Sequence, residues 1–314
     1  FNSINIKGEK MTIEQLNAKF GIAGQLKFIA GNGGLPMIQI NTTKAKALIS
    51  IHAGQVLSYQ PAGEAEDVLF LSEKAYYQDG KAIKGGAPIC WPWFGADPEG
   101  KGRPGHGFVR NRGWNVVATE GLTNGDIKVT VGLDDTPETQ AIWPHAFSLR
   151  QEIIIGDTLN LSLITRNTGK EVFTITQAFH TYFKVGDIAR TKVVGLTGCD
   201  YLDKAGGGNA QKHQNGDVTI DSEVDRIYLN VGNTLTIDDA ALNRRIQITS
   251  QGSKTAVVWN PWEKIAKDMA DLEDDDYKRL LCVETTNATN DGVEVAGGGE
   301  WRLVADYCVL KTEN

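Results

Sequence analysis

A chain of 314 residues has room for two ordinary domains or one large β domain, and with 41% hydrophobic residues the size of its core is not limiting. The net charge is −7 and the lysines and arginines are scattered, which argues against nucleic-acid and membrane partners and favours a small or neutral one. No apolar run reaches the roughly 18 to 20 residues needed to span a bilayer, the N-terminus lacks the charged-then-apolar order of a signal peptide, and Cys90, Cys199, Cys282 and Cys308 show no metal-ligand spacing, so a soluble cytoplasmic protein with reduced thiols and no metal is expected.

Residues 1–10 are expected to be an extension, because Met11 and Thr12 open a short helix in which Thr12 is the N-cap and Ile13 to Phe20 follow. From Leu26 to Leu71 short alternating segments recur: Leu26 to Ala30, Met37 to Asn41, Ala47 to His52, Gln55 to Gln60 and Val68 to Leu71. Each is bounded by Gly, Pro, Asn or Asp, the pattern of an antiparallel β fold. Residues 84–114 change character. Glycines at 85, 86, 95, 105 and 107 and prolines at 88, 92 and 104 leave little room for regular structure, so Trp91, Trp93, Phe94, Phe108 and Trp114 must hold this loop. Flat rings beside cations suit a sugar-phosphate pocket; the competing reading is a structural loop that plugs a sheet.

Alternation returns from Asp126 to Leu133 and from Ala146 to Arg166, with Gly156-Asp157 as a hairpin turn. His52 and His145 read as structural residues, and His213 as an exposed residue of a polar loop that runs to Asp221. The apolar and aromatic run Gln177 to Phe183 carries His180 at its centre. In a strand Ala178, His180 and Tyr182 share one face while Phe179, Thr181 and Phe183 share the other, so one side is available for a core and the other for a site. Further strands are expected from Thr191 to Leu196, from Val224 to Leu229 and between Thr234 and Val258. Ile265, Met269 and Leu272 recur at helical spacing within Pro261 to Leu280, and the acids of Glu273 to Asp276 read as a solvated helix or turn surface. In Leu280-Leu281-Cys282-Val283-Glu284 a carboxylate follows four apolar residues, out of place unless it is paired, hydrogen-bonded or functional. A buried glutamate has a raised pKa and can act as a base near neutrality. Turn spacing continues from end to end without a linker, which predicts one domain, residues 1–314.

Five motifs, in order, resemble the glucose-6-phosphate 1-epimerases, which are hexose-6-phosphate mutarotases related to the aldose 1-epimerases: Lys84-Gly85-Gly86-Ala87-Pro88-Ile89-Cys90-Trp91-Pro92-Trp93-Phe94-Gly95, His106-Gly107-Phe108-Val109-Arg110-Asn111, Phe179-His180-Thr181-Tyr182-Phe183, Val224-Asp225-Arg226-Ile227-Tyr228, and Trp259-Asn260-Pro261-Trp262 through Cys282-Val283-Glu284. The resemblance spans roughly residues 45–310 and implies an all-β fold, a single antiparallel galactose-mutarotase-like β-supersandwich with a few short helices. It also implies His180 as general acid and Glu284 as general base, with Lys84, His106, Arg110 and Asp225 binding the substrate, the first and third at its phosphate. Lys84 stands where arginine is common in the family and lacks its bidentate fork; Gly105 stands where some members carry glutamine. The implied reaction interconverts the anomers of a hexose 6-phosphate in a monomer, with no cofactor, metal, nucleic acid or membrane. Its rivals are an aldose 1-epimerase acting on unphosphorylated sugars, a non-catalytic carbohydrate-binding sandwich, and a lyase or hydrolase of oligosaccharides.

Overall fold

The computed structural model describes residues 4–6 and 9–310. Alternation sets the architecture: Phe147–Ile155 buries every second residue from Phe147 to Ile155, and Leu159–Asn167 returns through the Gly156-Asp157 turn in continuous register, Phe147 opposite Asn167 and Ile155 opposite Leu159. This hairpin lies within a nine-stranded sheet ordered Val218–Thr219, Thr191–Val194, Thr234–Asp239, Arg244–Gln251, Glu300–Leu310, Leu159–Asn167, Phe147–Ile155, Ile127–Asp134 and Asn115–Gly121. An eight-stranded sheet is ordered Ala210–His213, Asp200–Asp203, Val224–Leu229, Thr255–Asn260, Leu280–Asn287, Gln177–Phe179 and Ile89–Cys90, with Tyr182–Lys184 also paired to Leu280–Asn287. Leu26–Ala30, Pro36–Asn41, Ala45–Ser50 and Gln55–Pro61 form a four-stranded sheet. The expected antiparallel β-sandwich is therefore present. Its α-helices are short: Ile13–Phe20, Pro137–Ile142 and Trp262–Asp268.

The two large sheets share one apolar core, in which Phe179, Phe183, Leu281 and Val283 join Leu161, Leu163, Leu303 and Ala305. Several polar groups that border it are paired with one another. Thr181 Oγ1 lies 2.6 Å from the Tyr307 hydroxyl, Ser250 Oγ lies 2.7 Å from Thr285 Oγ1, and Trp91 Nε1 donates to Thr165 Oγ1 at 3.0 Å. The odd residues of the Gln177 to Phe183 run thus face the core, as alternation predicts.

Several expectations need correcting. The His180 run is two short strands, Gln177–Phe179 and Tyr182–Lys184. Val68 to Leu71 makes only isolated bridges, Leu69 to Phe183 and Leu71 to Gly85. The polar stretch before Asp221 contains the strands Asp200–Asp203 and Ala210–His213, so His213 ends a strand; it is exposed, 2.8 Å from Asp200. In the stretch to Leu280 the α-helix covers only Trp262–Asp268, and a single 3-10 turn follows at Asp276–Lys278. Nor is the acidic run wholly solvated, because Asp276 is buried and accepts from the Glu273 N–H at 2.9 Å and from Arg279 at 3.2 Å. The Thr12 cap is present and forms a capping box with Gln15. Of the expected extension, Ile4–Ile6 pairs with Glu9–Met11, and residues 1–3 and 7–8 lie outside the described residues.

The loop of residues 84–114 is mostly a plug. Trp91, Trp93, Phe108 and Trp114 are buried, and Trp91 packs 4.6 Å from Phe147 and 5.1 Å from Trp143 between ring centroids. Gly107 is required where the loop closes: its φ is positive and a Cβ would sit 1.8 Å from the Trp91 carbonyl oxygen. Only Phe94 among the loop aromatics stands at the site described below.

Because the Thr181–Tyr307 contact crosses a dry core, Tyr307→Phe should leave one hydroxyl unpartnered and cost about 1 to 3 kcal/mol. Adding Thr181→Val should restore part of that loss. A denaturant-unfolding double-mutant cycle measures the coupling, and strictly additive losses would show that the contact carries nothing.

Candidate active site

Although the strand breaks at His180, its register does not. Phe179 lies opposite Thr285 and Tyr182 opposite Cys282, which puts His180 opposite Glu284 on the face turned away from the core. Residues opposed in an antiparallel pair present their side chains on one face. The backbone N–H groups of His180 and Tyr182 donate to the carbonyls of Pro88 and Gly86, both at 2.8 Å, so the glycine-rich loop fixes this segment from its other edge. His180 Nε2 and Glu284 Oε1 are 3.4 Å apart, beyond the usual span of a charge-assisted hydrogen bond. His180 Nδ1 and Glu284 Oε2 are buried without a partner. Two polar side chains are therefore held in contact with lone pairs unspent.

Burial dominates the electrostatics. It pushes the Glu284 carboxyl well above its ordinary range, with the Asp225 charge adding to the rise and Arg110 opposing it. It pushes His180 well below 6.5, helped by His106, Arg110 and Lys84. Geometry alone suggests an ion pair, but desolvation outweighs so long a contact. Burial thus favours the neutral form of both groups.

The other residues singled out by sequence surround this pair. The His106 ring stands edge-on to His180 at 5.4 Å between centroids, in a left-handed backbone conformation with φ 64°. Its Nδ1 accepts from the Gly95 N–H at 3.2 Å, and burial, aided by Arg110 and Lys84, lowers its pKa to about 3. His106 is thus neutral with its proton on Nε2. Asp225 lies opposite Trp259, and Trp259 opposite Cys282, in the same face-sharing rows as Tyr182. Burial, followed by Glu223, raises the Asp225 pKa to about 6. Arg110 donates to the Gly105 carbonyl at 3.3 Å and pairs with no carboxylate among the described residues. Lys84 is 3.5 Å from Asp271. Arg103 and Arg112, the other arginines of the 84–114 loop, are engaged elsewhere: Arg103 with Asp97 and Glu99, Arg112 with Glu138 and over the Phe108 ring.

Sequence reasoning assigned no role to Tyr182, Trp259 or Asp271. Tyr182 stacks on His180 at 5.0 Å and 15°, Trp259 meets both rings edge-on, and Phe94 packs 5.0 Å from His106. Alternation placed Tyr182 beside His180; nothing local in the sequence paired Asp271 with Lys84. His52 and His145 are structural, as expected. His52 Nε2 lies 2.6 Å from the Lys81 carbonyl, and His145 packs on Trp143 and Phe173.

With this geometry in hand, comparison with known proteins is informative. The sequence profile of the family described as aldose 1-epimerase matches residues 36–308. A protein of Escherichia coli K12 provisionally named glucose-6-phosphate 1-epimerase is 38% identical over 255 residues, covering 81% of this chain and 84% of its own. One from Cenchrus ciliaris with the same provisional name is 39% identical over 264 residues, covering 82% and 79%. The crystal structure of a provisionally assigned mutarotase, YeaD from Salmonella typhimurium, superimposes with a TM-score of 0.86 at 34% identity, covering 93% of this chain and 96% of that one. Among the described residues no helix is long and apolar enough to cross a membrane.

The raised Asp225 pKa has a stability consequence. A folded carboxyl that holds its proton up to about pH 6, against 3.8 for the ordinary group, makes deprotonation oppose folding by up to about 3 kcal/mol. That penalty is full above about pH 6 and gone below about pH 4. Asp225→Asn should therefore be more stable than the parent at pH 7.5, with the advantage fading as pH falls through this window. Unfolding curves at several pH values check it; an advantage independent of pH would contradict it.

Proposed function

Since the chain belongs to the aldose 1-epimerase family, we propose that it interconverts the α and β anomers of a hexose 6-phosphate, most plainly glucose 6-phosphate. The observation that carries the phosphate is Arg110, a guanidinium without a carboxylate partner whose charge bears on both His180 and Glu284. An enzyme for neutral sugars has little use for such a cation there. Relatives named for glucose 6-phosphate support the same reading.

Ring opening breaks C1–O5, removes the proton of the C1 hydroxyl and protonates O5, leaving the open-chain aldehyde. Rotation about C1–C2 and reclosure give the other anomer. O1 and O5 are both bonded to C1, so the two proton-transfer groups should stand side by side, and His180 and Glu284 do, at 3.4 Å on one face. This differs from the arrangement across a cleft that a base and an acid at opposite ends of a sugar would need. In our reading Glu284 takes the O1 proton while His180 gives one to O5, and both transfers reverse on closure. One proton on the pair serves both directions. Opening requires it on His180, whose pKa is depressed first by burial and then by His106, Arg110 and Lys84; an arriving phosphate dianion offsets both cations and favours that transfer. His106 Nε2–H and the Asp225 carboxylate hold sugar hydroxyls, and Tyr182 and Trp259 pack against the sugar's C–H surface. We assign the reaction to a cytoplasmic monomer, a single domain over residues 1–314, with no cofactor, nucleic acid or membrane.

Anomer exchange on glucose 6-phosphate, with glucose as control, tests this reading. His180→Asn and Glu284→Gln should each lower kcat by about 10² or more while the protein stays folded. Near-parental turnover in either removes that residue from the mechanism.

Arg110→Ala should raise KM for glucose 6-phosphate roughly 10-fold or more, since a charge-assisted contact contributes about 1.5 to 3 kcal/mol, and should hardly change glucose turnover. Lys84→Ala should have a smaller effect, because Asp271 already offsets its charge. An unchanged ratio of kcat/KM between the two substrates in Arg110→Ala would favour an aldose enzyme.

A further inference from the structure

The apolar surroundings of the His180–Glu284 pair contain a third donor that sugar chemistry does not use. Cys282 and Glu284 are two apart on Leu280–Asn287 and so share its outer face, and His180 is opposed to Glu284 across the strand pair. One donor atom from each of His180, Cys282 and Glu284 lies within 4.8 Å of the other two. Glu284 and Cys282 are fully or almost fully buried, and His180 is only 8% exposed.

We propose that His180, Glu284 and Cys282 form a site for a borderline-soft divalent cation, zinc above all, and that its occupation shuts off the sugar chemistry. Tetrahedral zinc holds nitrogen, oxygen and sulfur donors at about 2.0 to 2.3 Å, which places them about 3.3 to 3.6 Å from one another. The imidazole and carboxylate already stand at that spacing, 3.4 Å, so the thiol needs only a small side-chain adjustment to close the third corner. A hydrogen-bonded acid–histidine pair would be shorter than 3.4 Å, and the second carboxylate oxygen, Glu284 Oε2, is buried with nothing to bond. The donor set also selects the ion. Thiolate and imidazole suit zinc or copper, whereas magnesium and calcium require oxygen ligands throughout. On binding, the metal–sulfur bond replaces the thiol S–H bond and the proton leaves to solvent, as does that of Glu284. The fourth position stays open to water or a sugar hydroxyl.

Cys282 has no part in the ring-opening chemistry, and it packs among Phe70, Tyr182, Leu272 and Leu280, where a small apolar side chain would serve. The other thiols do not compete for the role. Cys90 is outside the three-donor cluster, and Cys199 and Cys308 are partly exposed elsewhere. The inhibitory consequence rests on reading His180 and Glu284 as the proton-transfer pair. The metal site itself does not.

The test uses the full chain with Cys199 and Cys308 replaced by serine. Cobalt(II) is titrated in and read by its thiolate-to-metal charge-transfer absorption and tetrahedral ligand-field bands; zinc is then added, and glucose 6-phosphate anomerisation is followed in parallel. Cobalt should give both signatures, zinc should displace it, and zinc should suppress turnover until a chelator is added. Cys282→Ala and Cys282→Ser should abolish the charge-transfer band and weaken zinc on the order of 10²-fold or more, beyond the roughly 10- to 100-fold cost of losing an outer-shell partner. Both should keep turnover near the parental rate; two variants are used so that a packing defect in one is not mistaken for a lost ligand. His180→Asn should also abolish tight binding, and Cys90→Ala should leave it intact. Absence of the cobalt signatures in the parent, or their survival in the Cys282 variants or in His180→Asn, overturns the site. Cobalt and zinc binding with the expected ligand dependence but without inhibition would uphold the metal site and overturn the acid–base role of the pair.

Discussion

The structure depends on one register kept across a gap. Between Phe179 and Tyr182 the ladder with Leu280–Asn287 is interrupted, yet the pairs on either side agree. In a β-sheet a slip of one residue turns every side chain to the other face. Such a slip of the segment 177–184 would send His180 into the dry core and bring Phe179 and Phe183 out of it. The hydrophobic cost of that exchange locks the register, and so the packing of the two large sheets sets the geometry of the site. Gly86 and Pro88 hold the interrupted segment from its other edge. The loop that looks designed to bind sugar through its tryptophans acts mainly as a clamp.

What results is a small region where folding leaves electrostatic work undone. Burial raises Glu284 and Asp225 and lowers His180 and His106, His180 Nδ1 and Glu284 Oε2 lack partners, and His106 adopts a left-handed conformation. Each of these opposes stability, and they cluster where a substrate would supply the missing hydrogen bonds and counter-charge. The asymmetry between the two cations follows the same logic. Arg110 has no carboxylate partner among the described residues, whereas Lys84 leans on Asp271.

Much of this was legible before any coordinates. A strict two-residue period placed Phe179, Thr181 and Phe183 inside and His180 with Tyr182 outside, and Glu284 stood out because no soluble strand carries a carboxylate after four apolar residues without a reason. The longer strands and the capped helix from Ile13 to Phe20 were visible for similar reasons. Local pattern could not separate aromatics that bind sugar from aromatics that plug a core: Trp91, Trp93 and Phe94 read alike in sequence, and only tertiary packing, of Trp91 on Trp143 and Phe147 and of Trp93 on Phe108, sets the first two apart. The strand Ala210–His213 escaped notice because it is exposed throughout, and Asp200–Asp203 because four residues with one buried side chain are too short to show a period. Helix spacing suggested more helix before Leu280 than exists, since buried Asp276 ties that stretch into a turn. The Lys84–Asp271 pair spans too much sequence for any local signal.

Burial should keep the titratable proton of the His180–Glu284 pair on the carboxyl rather than on the imidazole. Nitrogen-15 NMR of histidine-labelled protein tests this directly, because ring-nitrogen shifts distinguish neutral imidazole from imidazolium and His180→Asn identifies the signal. His180 of the unliganded protein should stay neutral as pH falls through 6.5, the ordinary histidine value. A His180 that titrates at or above 6.5 in the empty site, or is already protonated at neutral pH, would contradict it.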